Sequence, residues 1–298
     1  MVIVTSSDLQ AGQVWPAGRG TAPGFFGVLS AVMIAAVAFA VMTGAPARAE
    51  DEQQVERTSF SNAEIADGFF KVAFGAELGT AGTNEHIRKF DKPVRIFLDN
   101  RAKANRRADL AAVVADISRH VAHLDVAMTN DRGAANVVVT LVRDRPELLR
   151  TLKAFYGRAR AREIEQRLAP QCLSGFAEYP DHGIRRAEVI LTAEGGDFAF
   201  LNCAYEELLQ ALGPINDDRS VPWTMFNDDV QMGYFDIYDQ YLLNILYDPR
   251  VRPGMTKQDV AAVMPQVLPT VREWIAKTNS PFRLDAAADI EPGAPHAQ

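Results

Sequence analysis

The sequence predicts an α+β domain built on a mixed, twisted sheet. Two observations carry this. Short runs rich in β-branched and aromatic residues are separated by longer runs whose apolar residues recur at helical spacing. Their order is helix, strand, helix, strand, helix, a strand pair, and then further helices, which fits an α+β arrangement.

The elements follow in order. SNAEIADGFFKVAFGAEL (61–78) opens with a capping residue, Ser61 or Asn62, and puts Ile65, Phe69, Val72 and Ala73 on one helical face. KPVRIFLD (92–99) reads as a strand. The segment 105–125 is a helix through Leu110, Val113, Val114, Ile117, Val121 and Leu124. ANVVVTLV (135–142) has the continuous apolar character of a buried strand. Residues 145–168 read as a helix with a break at Gly157. CLSGFAEY (172–179) and IRRAEVILT (184–192) form a strand pair joined by the turn PDHG. Helices follow over 198–212, 234–249 and 256–278, the last expected to be interrupted by Pro265 and Pro269.

The chain has 298 residues, 48% hydrophobic, with a formal net charge of -7. That is enough apolar material for a sizeable core. The acidic balance argues against a nucleic-acid backbone as partner. Residues 1–49 lie outside the expected fold. Arg19, an uncharged apolar run from Phe25 to Met42, and Ala47-Arg48-Ala49 follow one another in the order of a secretory signal. Left uncut, that run of about 18 residues is long enough to anchor the chain in an inner membrane. Either reading puts the body outside the cytoplasm, in the periplasm or secreted. Residues 50–64 read as a linker, 65–278 as the folded domain and 279–298 as a disordered tail. In an exported chain the only two cysteines, Cys172 and Cys203, are expected to pair. The bridge would close a loop of about 30 residues, for which loop entropy gives about 3 kcal/mol.

The segment CAYEELLQALGPINDD (203–218) holds the candidate site. Glu206 and Gln210 are four apart and share a helix face. Gly213 can end the helix in a backbone conformation that favours glycine. Asn216 can then return toward the Glu206–Gln210 face, with Glu207 beside it. The competing reading is an ordinary amphipathic helix with a solvated Glu/Gln face. Glu206 and Glu207 diverge by about 100° around a helix, so they are not an evident acid/base pair. His120 and His123 are three apart but have no third ligand in view, and His182 sits in a turn where solvent exposure is the default.

This spacing resembles the zincin metalloprotease frame H-E-x-x-H-x-x-G-x-x-H. By that resemblance Glu206, Gln210 and Asn216 stand at the three ligand positions, Glu207 at the general base and Gly213 at the glycine. WTMFND (223–228) looks like the methionine turn of metzincins, with Met225 as its methionine. The chain also resembles an uncharacterised bacterial exported family, domain of unknown function 2927, through CAYEELLQALGPIND, MFNDD and LYDPRVRPGM. The resemblance covers about residues 60–275. It implies a zincin-like single domain with an active-site-type helix, a methionine turn and C-terminal helices, and it implies no particular reaction.

All histidine ligands of the protease frame are replaced. Zinc prefers imidazole and thiolate, so zinc binding is not expected. Any metal would be Ca, Mg or Mn on the oxygens of Glu206, Gln210, Asn216 and Asp217. Two functional readings follow. One is a non-catalytic domain that binds a peptide or an envelope protein across a strand edge. The other is an atypical peptidase-like hydrolase with catalytic Glu207 as general base and an oxygen-ligated cation. The first is preferred, because no electrophile for transition-state charge is evident.

Overall fold

The branched and aromatic runs do form strands, and the sheet they build places a helix-borne cluster at one end. A computed structural model of the chain describes residues 2–3, 57–74, 85–168 and 171–280. The apolar run 25–42, residues 50–56 of the expected linker, nearly all of the tail and His296 lie outside the described residues. Strands β2 (Val94–Asn100), β3 (Val126–Thr129), β4 (Val137–Val142), β5 (Leu173–Glu178) and β6 (Ile184–Thr192) make a mostly parallel sheet. Their spatial order is β5-β6-β4-β2-β3, and β5 alone among them runs antiparallel. A two-residue segment, β1 (Val2–Ile3), pairs in parallel with Gly175 and Phe176 at the outer edge of β5.

Period-two alternation divides the sheet into two faces. Ile96, Val137, Val139, Ala187 and Val189 point into the larger core. There they meet helices α1 (Asn62–Ala73), α2 (Arg107–His120), α4 (Asp197–Ala211), α5 (Ile237–Tyr247) and α6 (Lys257–Thr278). Val142, Leu173 and Ile190 point the other way, onto Leu148, Leu152, Ala161 and Ile164 of α3 (Arg145–Leu168).

Several expectations are refined. The folded body starts before residue 65. Ser61 and Glu64 form a reciprocal capping box on α1, and Phe60 is buried edge-on against Tyr238. Helix α2 ends at His120 rather than at 125, and His123 just beyond it takes a left-handed φ of 62°. Strand β3 was not expected; four residues, VAMT, carry too little pattern. The break at Gly157 is present, with φ of 77°. Helix α6 is not interrupted: both prolines lie inside it. They are four residues apart on its exposed side, so the carbonyls they leave without an N–H donor face water. Among the described residues no helix is long and apolar enough to cross a membrane.

Candidate functional site

Helix α4 follows directly on the antiparallel β5–β6 pair and packs across it. Three contacts fix it. Cys203 is bonded to Cys172 at the start of β5. The Tyr205 hydroxyl donates to Asp116 Oδ2 of α2 at 2.9 Å. At its N-terminus Arg106 reaches Asp197 at 2.6 Å, where a carboxylate suits the helix dipole.

The C-terminal end of α4 is shaped by Gly213, whose φ is 141°. A Cβ there would lie 2.3 Å from the Arg88 carbonyl oxygen and 2.8 Å from Leu246 Cδ2, so a side chain is excluded twice over. The chain then runs back to cap α1. The Ile215 and Asn216 N–H groups donate to the Val72 carbonyl, and Asn216 Nδ2 donates to the Lys71 carbonyl at 2.9 Å. These are carbonyls that the end of α1 leaves without helical partners.

Asn216 therefore does not join the cluster. What meets there instead is Gln210 and Asp217: Gln210 Nε2 donates to both Asp217 oxygens, at 2.9 and 3.1 Å. Its Oε1 accepts from the Ser174 hydroxyl of β5 at 3.4 Å. Gln210 is 1% exposed and Glu207 5% exposed, which rules out a solvated Glu/Gln face. Glu206 is half-buried, with Asn202 Nδ2 3.5 Å from its carboxylate. Burial first, then the negative charges of Glu207 and Asp217, push the Glu206 carboxyl up to about 9. Both influences favour its neutral form.

Sequence reasoning also missed two groups on the α3 side of the sheet. Tyr156 of α3 has its hydroxyl pKa pushed up by burial, then by the charges of Glu188 and Glu207. Glu188 of β6 is itself raised by burial. Neither lies near 203–218 in the chain, so no local spacing could reveal them.

Met225 is buried, and its turn is pinned from α5. The Thr224 hydroxyl donates to Asp239 Oδ1, and the Met225 N–H donates to Oδ2 at 2.9 Å. Asp239 is fully buried, and burial pushes it up to about 6 against the pull of those two donors. Its own N–H is capped by Asp236. Asp236, Asp239, Gln240, Asn244 and Asp248 are all buried, and their helical spacing in YFDIYDQYLLNILYD was the signal that could have found them.

Among the described residues the histidines do not gather in one group. His120 Nδ1 lies 3.0 Å from Asp116 Oδ1, and the His182 ring stacks on His86 at 4.4 Å rather than standing in solvent. Among the described residues no group of three or more His, Cys, Asp or Glu side chains could hold a metal ion. The ligand set Glu206, Gln210 and Asn216 is not assembled, since Asn216 faces α1 and the Gln210 amide nitrogen faces Asp217.

The fold and site thus define an α+β domain with a mostly parallel sheet and a buried carboxylate–amide cluster on the helix behind its antiparallel edge pair. The family described as Protein of unknown function (DUF2927) matches residues 62–266, and the chain belongs to that family. No curated protein matches the chain, and no solved structure does.

Proposed function

We propose that this is an exported, zincin-like domain without catalytic metal chemistry, which binds an extended peptide or a segment of an envelope protein along the β5 edge. The observation that carries the reading is the internal hydrogen bonding at the ligand positions. Gln210 is held between Asp217 and Ser174, and Asn216 caps α1. A metal would have to break both arrangements. The antiparallel pair directly before the helix supports the zincin-like part. The β5 edge supports the binding part: it is the outer strand of the body on the α4 side and already takes a pairing from Val2–Ile3.

A second reading, hydrolysis with Glu207 as general base, draws on the burial of Glu207 beside a carboxyl held neutral. Two measurements separate them. Hydrogen exchange with and without peptide should show slowed exchange over Leu173–Glu178 and none over Val126–Thr129. Peptide hydrolysis that disappears in Glu207→Ala, or one equivalent of Ca or Mn lost in Glu206→Ala, would replace the binding reading with the second.

A further inference from the structure

Helix α3 covers the sheet face opposite the other helices, holding Leu148, Leu152, Ala161 and Ile164 against Val142, Leu173 and Ile190. Its outward side is basic. Arg145, Arg150, Lys153, Arg158 and Arg162 are all exposed, and no acidic residue between 145 and 166 is. The acids of this stretch are turned in or engaged. Glu147 is half-buried and accepts the Arg143 N–H at 2.8 Å. Glu163 pairs with Arg160 at 2.7 Å, and Glu165 is half-buried. Asp144, whose carboxylate Arg150 helps to hold down, is paired with Arg143 at 2.9 Å. Among the described residues none of the five exposed cations makes an ion pair or a hydrogen bond.

This spacing does not serve the helix. Arg150 and Lys153 are three apart, and Arg158 and Arg162 four apart. Each pair shares a helix face, where like charges repel. The exposed Gly157, with φ of 77°, separates the two pairs. The surrounding chain has the opposite sign. Its net charge is -7, and residues 197–280, which hold α4, α5 and α6, carry twelve acidic and six basic residues. Charge is therefore divided across the sheet, positive on α3 and negative on the far side.

The chemistry of the face narrows its partner. The exposed large apolar side chains among the described residues are Tyr179, Phe198 and Tyr234, and none lies on α3. The face thus lacks an apolar wedge for the bilayer interior and an aromatic platform on which bases stack. It offers spread cations, which suit a plane of negative headgroups. A polyanion that wraps the body would meet the acidic remainder of the chain. We propose that α3 is an electrostatic docking face for an anionic phospholipid surface, with Arg150, Lys153, Arg158 and Arg162 at the headgroups. Docked in this way, the domain turns α4 and its neighbours away from the lipid. The proposal is independent of the peptide-binding reading, which uses the β5 edge.

The test takes the full chain with vesicles of phosphatidylcholine alone and of phosphatidylcholine mixed with phosphatidylglycerol. Hydrogen exchange over 145–166 is the deciding readout, because insertion of the apolar run 25–42 would raise binding to both vesicles alike. Exchange there should slow on the anionic vesicles only and recover as salt screens the contact. Partition should favour the anionic vesicles by at least ~10-fold, each cation near the surface contributing roughly 5-fold. The variant Arg150→Gln, Lys153→Gln, Arg158→Gln, Arg162→Gln should lose both effects without lowering the thermal midpoint. A control of equal net charge, Lys92→Gln, Arg252→Gln, Lys257→Gln, Lys277→Gln, should keep both. Unchanged exchange over 145–166 on anionic vesicles would overturn the proposal. Equal loss in the control would overturn it in favour of a net-charge effect. Stronger slowing of the same residues by a single-stranded oligonucleotide than by vesicles at equal phosphate would overturn it in favour of a nucleic-acid contact.

Discussion

Two carboxylates in this domain, Asp239 fully buried and Glu206 half-buried, meet opposite fates. Asp239 and Glu206 are both pushed up by burial, yet Asp239 reaches only about 6 and Glu206 about 9. Asp239 receives a hydroxyl and a backbone N–H, one on each oxygen. Glu206 has the Asn202 amide at 3.5 Å and acidic neighbours. Hydrogen bonds to the charged form offset desolvation, and like charges add to it. The contrast separates an anchor from a site: Asp239 is satisfied in place, whereas Glu206 would be better satisfied by something positive.

The largest expected effect comes from breaking the anchor. Asp239→Ala should destabilise the domain by about 4 kcal/mol in urea unfolding, since the Thr224 hydroxyl and Met225 N–H lose a buried partner. A cost near zero would mean the loop 213–235 is held by other contacts. The equivalent anchor of α4 is covalent. Replacing Cys172 and Cys203 together by Ser should cost about 3 kcal/mol, read from the same unfolding curves. The next test sharpens the comparison through pH. Glu206 is raised above its ordinary 4.5, so its contribution is fully present below about 4.5 and is lost as pH rises toward 9. The thermal midpoint should therefore fall from pH 5 to pH 9, and Glu206→Gln should flatten that fall. The smallest effect is expected from Asn202→Ala, about 1 kcal/mol for the bond to Met232 N–H. It should leave Glu206 neutral at pH 7, as judged by its carboxyl chemical shift.

The helices were legible where apolar spacing was strong, as in α2 with Leu110, Val113, Val114 and Ile117. Both β5 and β6 were legible from their flanking turn. The disulfide was expected from the even cysteine count of a chain read as exported, and Cys172 and Cys203 are bonded. Other features had no local signature. The direction of the chain after Gly213 depends on the α1 carbonyls, which lie far away in sequence, so spacing alone sent Asn216 to the wrong side. The prolines of α6 break a helix by rule, and only their shared exposed side makes them tolerable. The carboxylate Asp239 was not singled out by the sequence; it lies in the first turn of α5. Its real work, holding Thr224 and Met225, is a tertiary contact between residues about four turns of helix apart in sequence length.

The capping of α1 by Ile215 and Asn216 makes the ends of two helices one lever. Asp217 is the next residue along, and it grips Gln210. Adding one residue within α1 would advance its end by about 1.5 Å and turn it by about 100°. The clasp at Asn216 would travel with it, and Asp217 would be drawn off Gln210. The length of α1 thus acts as a ruler for the spacing inside their cluster.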